Sequence, residues 1–494
     1  MAIAFIYTES TNIVRVTGGT SGTPATFADF VTADRAGTAT LLVATAGLSP
    51  TLALTYQIRP VEDMALLITF TVAAKTAQAD YIFITGTDWR DAAQTEAIDV
   101  TAGNGAYVST KYFKTITNID CSDNAAGGGT QWADGTVAVT QPQWGVIWDY
   151  GDGIYRLDAK VEVGGDGSAA YFTDTNKVII IGTFLSGGGR AFDVYALATL
   201  TLGELVNATT KSTKNGCTIK YLTTTASCHL FIARGGATVY LYSLRVDAGV
   251  KYYISNIMTS RIWNCFINGY GEILNQGASC DVYNLQITNS DKSIIKFPGT
   301  IDKATITASN YGFEHSNLAM TVTNPVFYDI ATKLINCYNT LGNAFNLIDV
   351  ETNIWSIGWA GGTHTGTNIN RKNTVNIHVS DAAGANLATV AVVCEDQDGN
   401  TTGGFASVNT DANGDIAEQT IIRGYCDLNN SDLDSDLTKD YSPHKFTISK
   451  AGYETLILEN ITVDAPIVWH LELQDPVVAG ISAKVKHVGI GVSI

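Results

Sequence analysis

The chain has 494 residues, 45% hydrophobic and only 16% charged, with 47 glycines and a formal charge of −17. That balance excludes disorder, which needs low hydrophobicity and high charge. With 47 acidic against 30 basic residues and no Lys/Arg cluster, it argues against a nucleic-acid or anionic-lipid surface. A chain this long exceeds one compact core and predicts about two to four domains or one elongated solenoid.

At the start, Ile3, Phe5 and Tyr7 alternate and Ile13, Val14 and Val16 follow, which reads as a strand pair. No basic region, apolar core or small-residue cleavage site of a secretory leader is present, so synthesis and folding in a cytoplasm are expected. No run approaches the roughly 18 to 20 apolar residues that span a bilayer, so no membrane insertion is expected. Residues Phe27 to Val31 predict one or two helical turns covering the first sheet. Strands are predicted at Tyr56 to Arg59 and Met64 to Val72, and residues 1–110 read as an N-terminal β region, either the start of a solenoid or an attachment domain.

From Tyr107 to Val206, strands alternate with glycine-rich turns at Ala125 to Gly129, Gly151 to Gly153, Gly164 to Gly167 and Gly187 to Gly189. The run Val178 to Ile181 is too apolar for a half-exposed strand, so both its faces are expected to be covered. Asp149, Asp152 and Asp158 lie in or beside a glycine turn near Trp144, Trp148 and Tyr155. Carboxylates beside aromatic faces suit a sugar, and the candidate carbohydrate set is Trp144, Trp148, Asp149, Asp152 and Tyr155. A plain Asp-Gly hairpin accounts for the same residues.

Between Asn215 and Trp355, short β-type blocks begin near Gly216, Gly236, Ser260, Ser279 and Ile301 and recur at intervals of about 20 residues. Each unit is too short to bury an apolar face alone, and the pattern predicts the coils of a right-handed parallel β-helix over residues 111–358. Acids in the repeats are irregularly spaced, Glu314–His315 being an isolated neighbour pair, so no catalytic residues are assigned. Metal-spaced histidine pairs, nucleophile elbows and phosphate loops are missing from the sequence. The eight cysteines are scattered and read as small buried hydrophobes.

Residues 359–373 are small and polar and predict a linker. From Thr374 the pattern changes to strand, Asp381-Ala-Ala-Gly384, strand, Asp396-Gln-Asp-Gly399, then Thr410-Asp411-Ala-Asn-Gly414, and finally Lys450-Ala-Gly452-Tyr453-Glu454. This order resembles the carboxypeptidase regulatory-like family. The resemblance implies a small Ig-like or transthyretin-like β-sandwich over residues 374–474, a binding or structural module without catalytic residues. An acidic insert departs from the family pattern. In it Asp427, Asn429, Asp432, Asp434 and Asp436 offer oxygen ligands at nearly alternate positions and form a candidate Ca²⁺ site, though the EF-hand glycine and closing glutamate are missing. No other cofactor is expected. Residues 475–494 form an apolar tail, expected to pair with a neighbouring subunit.

An all-β chain built as a threonine- and glycine-rich solenoid followed by a sandwich resembles bacteriophage virion proteins of the tail-fibre, tailspike and head-fibre kind. That resemblance implies a non-enzymatic homotrimer located in the virion, contacting other virion proteins and binding a host cell-surface glycan. A cell-surface adhesin or sheath-forming protein, and a polysaccharide depolymerase on the same scaffold, are the alternatives.

Overall fold

The computed structural model describes residues 3–8, 13–20, 23–32, 41–46, 67–140, 147–149, 153–157, 160–164, 167–173, 177–181, 190–221, 228–233, 236–247, 252–255, 259–269, 279–290, 292–295, 299–315, 319–338, 342, 344–361 and 363–476. Nearly every regular element is a strand; the only helix among the described residues is Phe27–Thr32. The chain divides into two compact units, Met1–Tyr252 and Tyr253–Ile494.

Three parallel ladders run through the first unit. In one, Ile13–Thr17 leads to Lys160–Val163, Arg190–Val194 and Cys228–Ala233. In another, Ala25–Thr26 leads to Ala169–Phe172, Thr199–Leu202 and Thr238–Tyr242. The third runs from Ile154–Leu157 through Val178–Ile181 and Thr218–Tyr221 to Arg245–Asp247. From Ile154 onward the chain visits the three ladders in turn. Because strand side chains alternate between faces, in-register stacking places like on like. Val14, Val161 and Phe192 form one fully buried column, and Ala170, Leu200 and Val239 another. Ile179 and Ile180, neighbours on opposite faces, are both buried, as the apolar run predicts.

The helix Phe27–Thr32 covers an end of this interior. Thr26 and Asp29 exchange hydrogen bonds at its start: the Thr26 N–H donates to Asp29 Oδ2 at 2.7 Å and the Asp29 N–H to Thr26 Oγ1 at 3.3 Å. Phe27 then packs edge-on against Tyr155 and Phe172, and Phe30 against Phe172 and Phe5.

Between the helix and Ile147 the chain leaves the ladders. Leu41–Ala46, Thr136–Thr140, Thr69–Ala73 and Gly105–Val108 make one antiparallel sheet, and Ala93–Asp99, Tyr81–Thr87 and Thr115–Ser122 a second. Residues from Ile68 to Val139, among them Phe70, Ile84, Phe113 and Trp132, share one buried core. The boundary expected at residue 110 falls inside that core. Gly105–Val108 and Thr136–Thr140 flank the same strand, a non-local antiparallel pairing that no local pattern announces.

In the second unit, Thr259 pairs with Ser279, Cys280 with Gly299, Gly299 with Met320, Met320 with Phe345 and Phe345 with Ile369. The strands therefore recur at 20, 19, 21, 25 and 24 residues, close to the period read from the sequence. Ile262, Val282, Ile301, Val322 and Leu347 form a column no more than 1% exposed. Beside it the backbone turns at Asn264, Asn284, Lys303, Asn324 and Asp349, each with φ between 50° and 60°. Asn tolerates this left-handed region, and Asn284 Nδ2 donates to Asn264 Oδ1 at 2.9 Å.

The stretch expected as a linker, 359–373, is about half strand: it contains the last two residues of Ile357–Ala360 and the first six residues of the strand Asn368–Asp381. That 14-residue strand lies parallel to Ala344–Ile348 at its start and to Ile467–Leu473 at its end. In it the half-buried Asn368, Asn370 and Lys372 alternate with the buried Ile369, Arg371 and Asn373, so polar residues on both faces mask the strand period. The strand pairs antiparallel with Gln419–Cys426 from Ile369 to Val375 and parallel with Ile467–Leu473 from Val375 onward, and this sheet shares a core with the sheet Phe405–Asn409, Ala391–Glu395, His444–Ser449 and Leu456–Ile461. Three turns bounding these strands are alike. Asp381, Asp396 and Asp411 each accept backbone N–H groups two and four residues on, and Gly384, Gly399 and Gly414 sit at φ of 77° to 84°.

Candidate functional site

The residues singled out for carbohydrate do not all fall where a sugar would need them. Trp144, Asp152 and Asp158 lie outside the described residues. Trp148 and Asp149 belong to the strand Ile147–Asp149, which forms an antiparallel hairpin with Ile154–Leu157, Asp149 standing opposite Tyr155. The Tyr155 ring is directed inward: it is 9% exposed, packs on Phe27 with ring centres 4.7 Å apart, and lies under the Lys177 ammonium. It is a core residue of the ladder end, not an open platform for stacking.

Sequence reasoning passed over the charged face of the first ladder. Arg15, Glu162 and Asp193 are register partners on adjacent strands. Arg15 donates to Glu162 Oε2 through Nε at 3.1 Å and Nη2 at 2.7 Å; Lys160 Nζ lies 2.7 Å from Glu162 Oε1 and 3.4 Å from Asp193 Oδ2. Two carboxylates on neighbouring strands invite comparison with a glycosidase pair, but a general acid needs a raised pKa. At Glu162 burial pushes the carboxyl up, while the hydrogen bonds and charges of Lys160 and Arg15 outweigh it and hold the group below its ordinary range. Glu162 and Asp193 are 3% and 0% exposed and share one lysine. This geometry makes a structural charge network.

The acidic insert does not gather its oxygens at one point. Asp427 Oδ1 accepts the Asn429 N–H, Asp432 Oδ1 accepts the N–H groups of Asp434 and Ser435, and Asp436 accepts from Asn430 and Ser431. Asp434 Oδ1 receives Arg371 Nη1 at 2.6 Å. Among the described residues no group of three or more His, Cys, Asp or Glu side chains is placed to hold a metal ion. The insert instead lies along the last rungs of its unit. Ile357 donates to the Ser431 carbonyl at 2.7 Å, Leu433 to the Trp355 carbonyl at 3.1 Å, and Trp359 Nε1 to the Asn430 carbonyl at 2.7 Å. Leu433 is fully buried there.

A pocket opens on the sandwich sheet, with a cavity of about 140 Å³ lined by Asn376, Ile377, His378, Asp415, Ile416, Val468, Trp469 and His470. The parallel register sets His378 directly beside His470, with ring centres 5.2 Å apart. His378 Nδ1 lies 2.8 Å from Asp415 Oδ1, and since a carboxylate only accepts, Nδ1 carries the proton. The two histidines are far apart in the chain. The only sequence signal for them is that each sits mid-strand, in His378 of Thr374–Val379 and His470 of Ile467–Leu473, and pairing those strands was beyond the sequence.

No family model matches the sequence, and no curated protein matches it significantly. Among solved structures, the enzymatically active domain of tailspike protein 2 from bacteriophage CBA120 is similar at 12% identity over 63% of this chain and 71% of that one, with a TM-score of 0.19. The catalytic unit of a thermostable GH87 α-1,3-glucanase from Streptomyces thermodiastaticus is similar at 9% identity over 67% of this chain and 96% of that one, with a TM-score of 0.17. At TM-scores this low, neither likeness bears on the fold or chemistry of this chain. Its class rests on its own strands: an all-β protein of stacked parallel rungs and antiparallel sheets.

Proposed function

We propose that the chain is a structural protein of a bacteriophage virion, of the fibre or spike type: a right-handed parallel β-helix ending in a sandwich of the carboxypeptidase regulatory-like kind, assembled as a homotrimer and presenting a surface for host glycan. The observation that supports it is the run of short in-register rungs that passes, through the single strand Asn368–Asp381, into a separately cored sandwich. Such a rung stack is a stiff spacer, and a rigid spacer carrying a compact end module is what an attachment organelle needs. The charge network at Arg15, Lys160 and Glu162 holds the Glu162 carboxyl below its ordinary range, which favours a scaffold over a hydrolase at that place.

Immunogold labelling of particles released from cells that encode the chain tests the reading, together with light scattering of the purified protein. Label on the particles and a mass three times 52.6 kDa are expected. Label confined to the cell envelope, or a monomeric mass, overturns it. Release of reducing ends from host polysaccharide would instead make it a depolymerase.

A further inference from the structure

We infer that His378 and His470 form a binding site for a divalent transition metal ion of the Zn²⁺ or Ni²⁺ class, with Asp415 as its positioning residue. The inference stands on the sandwich geometry alone and is independent of the virion reading. Both imidazoles rise from paired parallel strands, opposite one another in register, on the face that lines the pocket. A tetrahedral ion about 2.0 to 2.1 Å from one nitrogen of each ring would hold the two ring centres roughly 5 Å apart. They stand 5.2 Å apart, with planes at 47°.

The protonation pattern fits as well. Asp415 accepts the Nδ1–H of His378 at 2.8 Å, which leaves Nε2 as the ring nitrogen that can donate to a metal. A carboxylate behind a ligating histidine is the usual way to fix tautomer and ring orientation. The backbone below is rigid: Ile377 and Val379 flank His378, and Leu471 follows His470, all in the sandwich core. Asp415 is itself set by the turn at Asp411, whose Oδ1 accepts the Asp415 N–H at 3.0 Å.

Two protein nitrogens leave the remaining coordination positions to water, for which the 140 Å³ cavity has room. Among the described residues seven cysteines, Cys394 of the sandwich core among them, are buried, which limits their competition for the ion.

Calorimetric titration of the untagged full chain with NiCl₂ and with ZnCl₂ at neutral pH tests the site. One ion per chain is expected, with binding at least about 10-fold weaker in His378→Ala and in His470→Gln, and about 10- to 100-fold weaker in Asp415→Asn with unchanged stoichiometry. The exposed His470→Gln change guards against loss through misfolding, and each variant is checked by its melting curve. In parallel, Ni²⁺ is expected to broaden two histidine ring signals in the NMR spectrum of the wild type and neither in a His378→Ala/His470→Gln double variant. Absence of saturable 1:1 binding, unchanged binding by a folded double variant, or broadening of other histidines overturns the proposal.

Discussion

The guanidinium of Arg371 lies 3.9 Å from the centre of the Trp355 ring, at the point where the aliphatic column of rungs in the second unit ends. Leu347 is its register neighbour on one side, and on the other an antiparallel strand takes over at Gly424. A charge therefore occupies a position filled by Ile, Val or Leu in every earlier rung. It is tolerated because the ring face, the Asp434 carboxylate at 2.6 Å and the Leu433 carbonyl replace its water. The acidic insert thus closes the column.

Arg371→Ala is accordingly expected to destabilise the protein by about 2 to 4 kcal/mol, through the lost cation–π contact, the charge-assisted hydrogen bond and the packing of the stem. Asp434→Asn is expected to cost under about 1 kcal/mol, because Asp434 is half exposed. Urea unfolding midpoints of the two variants check the order. Equal losses would mean that the ion pair, rather than the covered column end, is what matters.

The three Asp-x-x-Gly turns separate backbone strain from steric clash. A methyl group at Gly399 meets nothing within 4 Å, so Gly399→Ala carries only the cost of a positive φ, about 1 kcal/mol. At Gly414 the same methyl would come within 2.6 Å of the Val379 carbonyl oxygen, so Gly414→Ala is expected to cost clearly more. Melting curves of the two variants decide it, and a Gly414→Ala no worse than Gly399→Ala sinks the clash argument.

Those turns also mark what could be read in advance. Asp396 and Gly399 announce their turn locally, because side-chain acceptor and left-handed residue lie within four positions of each other. The repeat was legible for the same reason: Ser260 and Ser279 in the sequence lie beside or at the strand starts Thr259 and Ser279 in the fold. What escaped is decided at long range. Tyr155 is an ordinary aromatic beside a glycine turn until Phe27 packs on it. Arg15 and Glu162 meet only because their strands pair across the inserted sheets, and His378 and His470 only because theirs do. Trp355 and Arg371 gave no pattern at all, since a buried arginine in an apolar column breaks the rule by which the column is recognised.

Glu162 and Asp349 are expected to shape the acid limb in opposite senses. Lys160 and Arg15, against the push of burial, hold Glu162 below its ordinary range, so the folded state keeps it ionised where the unfolded chain takes up a proton. Its contribution is present above about pH 4.5 and is lost as the pH falls through its lower folded value. Burial raises Asp349, outweighing the Thr374 N–H and hydroxyl that donate to it at 2.8 and 2.7 Å. The folded state then holds a proton that the unfolded chain releases, and stability from this group falls as pH rises from below about 4. Glu162→Gln should therefore lose stability at pH 7 and approach wild type in acid. Asp349→Asn, which keeps a left-handed residue at φ 54°, should be neutral or stabilising at pH 7. Melting midpoints across pH 3 to 7 measure both, and parallel curves for the two variants would refute the assignment.

The coil corners offer a stabilising change. Asn289, Ala308 and Asp329 occupy successive turns of one column, at φ of 56°, 50° and 53°. Asn and Asp suit that region, whereas Ala pays for its Cβ there with no hydrogen bond in return. Ala308 is exposed, so enlarging it displaces no core. Ala308→Asn is expected to stabilise the protein by about 0.5 to 1 kcal/mol. Lys303, at φ 60° between Asn284 and Asn324, is a weaker case. Lys303→Asn relieves the same strain but gives up the bond from its Nζ to the Tyr283 hydroxyl at 3.1 Å, so its gain should be the smaller. Thermal unfolding of both variants orders the effects. A drop in midpoint for Ala308→Asn would show that the corner column does not sit in the left-handed region, and the rung register built on it would fall with it.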